Sequence, residues 1–573
     1  MYIAVVPNRS SPPAILLRES YRRGGKVCTR TLANLSHLSS RQVEAMRRVL
    51  KGEEVFPAQG PIQKVRDRAH GAVDAVHRAM GRLRLERLLD RKPSRERDLV
   101  VAMLVARVVC AESKLATLRT LGTTTLLEDR KLADATADDL YAAMDWLLER
   151  QDTIEKRLAK RHLDEHGLVL YDLSSSYFEG CSCPLAKLGY SRDGKRGKLQ
   201  VNYGLVTDER GCPVAIRAYA GNTADSTTLS ERIERVRQGF GLRELVVVGD
   251  RGMISDKQIK LLRTLEGVAW ITALKSVQVR SLVKSGKLSP TSFDARSLVA
   301  LDLEDARFVD ERLIACKNLE LAKLRAHKRQ SLLDATRQEL DRVQAMVSKG
   351  NLEGEGSIGV RVGKVVNKYK VAKHFELDIN DASFTYQIRQ EQVAEEASLD
   401  GLYVIRTPLS CERASDEQVV LHYKKLTQVE RAFRSMKTID LKIRPIHHHL
   451  ENRVRAHIFL CMLAYYVEWH MREAWRPLLF ADEDLATQQL QRHSDPVAPS
   501  KRSARALEKC STQRLPDGTA AHSFRTLLAD LGTITRSTLS PDGDADSPLA
   551  FTMTTAPSPQ QTRAFELLKT IGA

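Results

Sequence analysis

Two short apolar runs, each ending in an aspartate, limit the fold of this 573-residue chain more than any other feature. One is Gly167-Leu-Val-Leu-Tyr-Asp172 and the other is Leu245-Val-Val-Val-Gly-Asp250. Both read as buried strands, with the acid where the chain leaves the sheet. Between them, residues 198–206 and 213–219 supply two more strands with turn residues between. A helix follows, capped by Asp225 or Ser226 and running through Leu229, Ile233 and Val236. After Asp250, residues 255–265 read as a helix and residues 268–273 as a strand. The order is therefore β-β-β-α-β-α-β, followed by an insertion and one more helix.

That last helix carries chemistry on one face. At about 100° per residue, Tyr423, Glu430 and Lys437 are seven apart and fall nearly in line. Leu426, Val429, Phe433 and Met436 form a separate apolar stripe that seats the helix on a core. Glu430 lies at the edge of the stripe, held yet reachable. Charges flanking such a stripe are ordinarily just solvated, so the helix gains meaning only beside Asp172 and Asp250.

Three strands followed by alternating helices and strands is the order of an RNase H-like fold. That fold places one acid on its first strand, one after its fourth and one on a late helix. On these residues the chain resembles the insertion-sequence transposases of the DDE superfamily. It is most similar to the IS-four-type group with the signature Tyr-x2-Arg-x3-Glu-x6-Lys. The matching segments are Tyr171-Asp172-Leu-Ser-Ser-Ser-Tyr-Phe-Glu, Val248-Gly-Asp250-Arg-Gly-Met-Ile-Ser, and the trio Tyr423, Glu430 and Lys437. The chain departs from the signature at its arginine, where it has Leu426; Lys424, Lys425 or Arg434 would supply the charge.

The resemblance implies an α/β chain with an RNase H-like core, an inserted α+β subdomain and a mostly helical N-terminal region. It implies Asp172, Asp250 and Glu430 as catalytic residues holding two Mg²⁺, with Mn²⁺ able to substitute. Tyr423 and Lys437 would position phosphate, with Arg251, Arg434, Lys424, Lys425, Lys195 and Arg196 as further DNA contacts. The partners implied are terminal inverted repeats and target DNA, bound by a homodimer in a synaptic complex. The reaction would be cleavage at the ends of an insertion sequence, then transfer of the freed 3′-hydroxyl into target DNA. A phosphodiester repels nucleophiles, and two metal ions about 4 Å apart clamp both the attacking and the leaving oxygen. Magnesium takes hard oxygen ligands, which suits three carboxylates. Two other readings keep the fold: a non-catalytic DNA-binding relative, domesticated or inhibitory, and a simple nuclease without strand transfer.

Charge agrees with a polyanionic partner. Lys and Arg number 90 against 72 Asp and Glu, a net charge of +18. Residues 421–460 carry nine Lys or Arg against three acids. In residues 187–198, Lys187, Arg192, Lys195, Arg196 and Lys198 face Asp193 alone. No run of eighteen apolar residues marks a membrane span. The opening residues lack a charged n-region and a long apolar h-region, and no Walker-type glycine loop implies a nucleotide cofactor. The nine cysteines are scattered without zinc-knuckle spacing, which reads as reduced thiols. These features lead to the expectation of a cytoplasmic protein, and the resemblance implies association with the nucleoid. His447-His-His449 reads as a loop touching phosphate or backbone, and His457 as a core histidine.

The chain divides into a strand/helix segment (1–60), a helical region able to bind element ends (61–165) and a first core part (166–275). An insertion (276–415), a last core part (416–475) and a tail with one short helix (476–573) follow. Within the insertion, Leu333, Leu340 and Val347 are seven apart on a charged helix, the spacing of a short coiled-coil seam, a helical hairpin or a plain amphipathic helix.

Overall fold

The computed structural model describes the chain except residues 9–11, 54–61, 165–166, 181, 224–232, 234–236, 238, 292, 294–296, 302–306, 486–489, 491, 493, 500, 542 and 573. The helix expected after Asp225 lies largely outside the described residues. The chain forms two compact units, residues 1–67 with 536–554, and residues 68–535 with 555–573.

In the first unit, β1 (Tyr2–Val6), β2 (Ala14–Arg23) and β3 (Lys26–Asn34) form an antiparallel meander. The Gly24-Gly25 turn has positive φ at both residues, a conformation that suits glycine. Helix Ser40–Leu50 starts in a capping box of Ser39 and Gln42. β4 (Gln63–Ala69) ends the N-terminal part.

The second unit is built on a mixed sheet. Its core strands are β5 (Leu168–Tyr177), the two-residue β6 (Lys187–Leu188), β7 (Leu199–Thr207), β8 (Pro213–Ala220), β9 (Leu245–Val248) and β10 (Val268–Ala273). β5, β7 and β8 are antiparallel neighbours, whereas β9 runs parallel to β5 and β10 parallel to β9. Three meandering strands continued by parallel strands on the other side of the first make this an RNase H-like core.

The insertion contributes to the same sheet. β11 (Leu298–Leu301) and β12 (Arg312–Lys317) precede a self-contained piece with β13 (Phe375–Ile379) and β14 (Phe384–Ile388). β15 (Leu402–Thr407) then pairs antiparallel with both β10 and β12, so the order β11-β12-β15-β10-β9-β5-β7 runs through insertion and core alike. The 30-residue helix Leu319–Ser348 packs on helix Glu355–Tyr369 through Leu333, Leu340, Val343 and Val347 against Ile358, Val362 and Val366. The seven-residue spacing thus marks a helical hairpin.

Alternation along β5 sorts its side chains between two layers. Val169, Tyr171 and Leu173 face a layer with Ile259 and Leu262 of helix Asp256–Leu262. Leu170 faces the larger core, where helices Gly71–Arg82, Arg95–Val109, Ala137–Glu149 and Glu451–Ala474 pack.

The segment after residue 476 differs from the expected tail with one short helix. Besides helix Pro559–Leu568 it forms helices Ala504–Thr512 and Phe524–Leu531. It also adds β16 (Thr535–Ser540) and β17 (Phe551–Thr554), which pair with each other and continue to β4. Phe524, Leu527 and Leu531 are buried in the large core, apolar anchors that the polar, Pro/Ser-rich composition around them obscures.

Candidate active site

Strand register brings the two aspartates together. Leu170 of β5 is paired with Val248 of β9 in parallel register. Asp172 and Asp250 each lie two residues further on, Asp172 within β5 and Asp250 just past the end of β9, so the register brings them to neighbouring positions. Asp172 does not leave the sheet as expected: β5 continues to Tyr177 because β7 pairs with it along residues 170–177. Asp250 does leave it. Its Oδ1 accepts the N–H groups of Gly252 (3.0 Å) and Met253 (2.7 Å), which fixes the turn after β9.

Glu430 comes from helix Leu426–Arg434. Val429, Ala432 and Phe433 of that helix are buried, and the Phe433 ring meets Tyr203 of β7 edge-on at 5.8 Å. Tyr203 is the register partner of Ser174, so the helix lies over the Asp172 face of the sheet. The straight helix expected from Tyr423 to Lys437 is interrupted twice. Helix Asp416–Lys424 ends at Lys425, and residues Ser435–Ile439 form a π-helical turn.

The acids feel one another. Asp172 accepts the Leu173 N–H at 2.7 Å. Its carboxyl is nevertheless pushed up to about 7, first by burial, then by the charge of Asp250, with Glu430 adding to it. Arg192 and the Leu173 N–H oppose the rise. Burial pushes the half-buried Tyr423 hydroxyl up to about 12, again with Asp250 and Glu430 contributing. Carboxylates clustered so that their charges raise the proton affinity of Asp172 form a hard-oxygen donor set that a divalent cation would relieve.

Lys437 is buried rather than open. It forms an ion pair with Asp193 at 2.5 Å and donates to Ser174 Oγ at 3.1 Å, two residues along β5 from Asp172. Burial holds its ammonium below the usual lysine range. Asp193, with no exposed side-chain surface, also pairs with Arg444 and accepts the Tyr177 N–H at 3.2 Å. Sequence reading missed this role. Its only signals were a lone acid in a basic loop and the segment Arg444-Pro-Ile-His-His.

The remaining cations divide. Arg251 is exposed and donates to Ser276 Oγ at 3.2 Å, and Arg434 is exposed. Lys195 and Arg196 are exposed in the basic loop, with Lys195 6.0 Å over the Tyr177 ring. Lys424 and Lys425 turn into the protein. Lys424 donates to the Val497 and Ala498 carbonyls at 2.8 and 2.6 Å, and Lys425 pairs with Glu209 at 2.7 Å. Of the three adjacent histidines, His448 packs against Tyr141 and His457, and burial pushes it down to about 3; it is a neutral packing group. His457 is buried with its Nε2 3.1 Å from the Ile443 carbonyl.

The profile of the family described as "Transposase DDE domain" matches residues 179–467, just over half of the chain. The chain belongs to the DDE transposase family. It is thereby a DNA-cleaving and DNA-transferring enzyme of a family that generally uses divalent metal ions. The matched stretch contains Asp250 and Glu430 and begins just after β5. A second profile, "IS1634 family transposase, N-terminal domain", matches residues 3–63. The finer assignment to the IS-four-type group rests on the motif residues alone. The cryo-EM structure of the piggyBac transposase synaptic complex with hairpin DNA is similar over 80% of this chain and 82% of that one, at 9% identity and a TM-score of 0.34. No curated protein matches the chain. No helix among the described residues of this DDE transposase is long and apolar enough to cross a membrane.

Proposed function

We propose that the chain cleaves DNA at the ends of an insertion sequence and joins the freed 3′-hydroxyl to target DNA, with Asp172, Asp250 and Glu430 as its catalytic carboxylates. The observation that carries this reading is the register that sets Asp172 beside Asp250 while Glu430 adds its charge to theirs. Two Mg²⁺, or Mn²⁺ in their place, would be held by these three groups and would supply an activated water and charge stabilisation at the phosphorus.

The protein contributes positioning. Asp250, fixed by its turn, and Asp172, fixed by the sheet, keep their oxygens in place before substrate arrives. Lys437 offers an ammonium on the Asp172 face, with Asp193 and Arg444 deciding where it points. Tyr423 presents a neutral hydroxyl, a donor that adds no repulsion to a phosphate. Arg192, Lys195, Arg196, Arg251 and Arg434 would follow the DNA backbone around the cut. Recognition of the element ends falls to the outer surface of the helical region and to the β2–β3 hairpin with its exposed Arg22, Arg23 and Lys26. Helix Arg95–Val109 is buried along nearly its whole length, so it supports the core and does not enter a groove.

The test is nicking of a labelled element end with Mg²⁺, run beside a gel shift. Asp172→Asn, Asp250→Asn and Glu430→Gln should each abolish nicking and leave binding largely intact. Wild-type nicking by any one variant removes that residue from the site. Joining of a pre-cut end to target DNA separates a transposase from a nuclease of the same fold, and a wild-type chain that binds without nicking supports the non-catalytic reading.

A further inference from the structure

Away from the carboxylates, three segments distant in sequence bring soft ligands together. His162 ends helix Gln151–His162, Cys212 precedes β8, and His470 lies on helix Glu451–Ala474. Cys212 Sγ is 4.0 Å from His162 Nε2 and 3.8 Å from His470 Nε2, and all three candidate ligand atoms lie within 4.8 Å of one another. Cys212 has no exposed surface. Among the described residues, the polar contacts of its thiol within 4.0 Å are to those two imidazole nitrogens.

We propose that His162, Cys212 and His470 form a zinc site separate from the carboxylate centre. Zinc sits about 2.0–2.1 Å from imidazole nitrogen and about 2.3 Å from thiolate sulfur, which brings tetrahedral ligand atoms to roughly 3.5 Å from one another. The distances to Cys212 need close by only a few tenths of an ångström. Sulfur and imidazole nitrogen favour zinc over magnesium, so ligand type alone keeps the two metals apart. Binding converts the Cys212 thiol to a thiolate and releases its proton to solvent.

The surroundings suit such a site. Tyr466 and Trp469 pack on the His470 ring at 4.7 and 4.8 Å, which orients it. The Tyr466 hydroxyl is 3.0 Å from His162 Nε2 and accepts from Arg161. Either that hydroxyl or a water from the adjoining cavity of about 750 Å³, whose wall includes His162 and Asp208, provides the fourth position. Asp208 accepts the Cys212 N–H at 2.9 Å and pairs with Arg210, which neutralises the cation nearest His162. For His162 to bind through Nε2, the Arg210 contact to Nδ1 at 3.4 Å must give way to Asp208 alone. The site would tie a helix of the N-terminal region, the β7–β8 turn and the long C-terminal helix to one ion.

The test uses the full chain, stripped with a chelator and reloaded with zinc or with cobalt as a spectroscopic substitute. The expected result is about one zinc per chain and, with cobalt, the near-ultraviolet charge-transfer band of a thiolate ligand. Cys212→Ser and His470→Ala should lose both signals. Asp172→Asn should keep both, as should Cys461→Ser, which alters another buried cysteine beside a histidine. If Cys212→Ser does not fold, the wild-type cobalt band together with its survival in Cys461→Ser carries the assignment. Zinc far below one per chain, absence of the band, or a band that follows Cys461 overturns the proposal.

Discussion

Asp193 holds Lys437 and Arg444 with no contact to solvent, so its charge cannot be replaced by water. Asp193→Asn keeps the shape and leaves two inward cations unpaired; it should lower unfolding stability by roughly 3 kcal/mol or more. An unchanged denaturation midpoint would contradict that role. Lys437→Ala should slow single-turnover cleavage at saturating protein more than Lys424→Ala or Lys425→Ala, since the latter two are committed to Val497, Ala498 and Glu209. Equal losses in all three would mean that only total charge matters. The three candidate acids could be picked out in the sequence because each sits at a recognisable point of a strand or helix. Their neighbours could not, because Asp193 meets Lys437 only after a loop folds back on β5. The same holds for His162, Cys212 and His470, which share no spacing that a motif could reveal.

The π-helical turn Ser435–Ile439 ends the Glu430 helix over a buried polar knot. The Asp440 N–H reaches back five residues to the Ser435 carbonyl. Ser435 Oγ lies 2.8 Å from both Asp440 Oδ2 and Glu468 Oε1, and Arg472 donates to both carboxylates. Two buried acids thus share one guanidinium, and Glu468 is pushed up to about 7, chiefly by burial. In the unfolded chain it titrates near its ordinary value of 4.5. Its contribution to stability is therefore full below about pH 4.5 and is lost as the pH rises toward about 7. Glu468→Gln should be less sensitive to pH than wild type in that window; parallel stability curves would show that Glu468 carries no extra proton. Hydrophobic periodicity announced the helix but not its two interruptions, because the apolar stripe runs on through Met436 while polar partners from a distant helix decide where the backbone widens.

At the scale of the molecule, strand order was legible because each core strand is a short apolar run bounded by turns. That β15 and β12 continue the same sheet was not, since residues 276–415 read as a detachable insertion. The large core also closes through its C-terminal part: Trp475 packs 5.6 Å from Phe524 and donates to the Ala564 carbonyl at 2.9 Å. A chain stopped after residue 503 should melt well below the full chain or be insoluble, and an unchanged melting temperature would show this packing to be dispensable. DNA affinity should fall steeply with salt, with a log–log slope of about −0.9 per phosphate neutralised. A flat response would rule out the basic surface around the acids as the DNA contact. The helical hairpin adds a measure of length. At 1.5 Å per residue, helix Leu319–Ser348 is about 45 Å long, enough to lie along roughly 13 base pairs of duplex. Its own apolar seam would keep it straight against bound DNA, as a stiff ruler is. Nuclease protection should then extend about one turn of DNA past the cleavage point, and replacing residues 319–388 with a short linker should shorten the footprint by that turn.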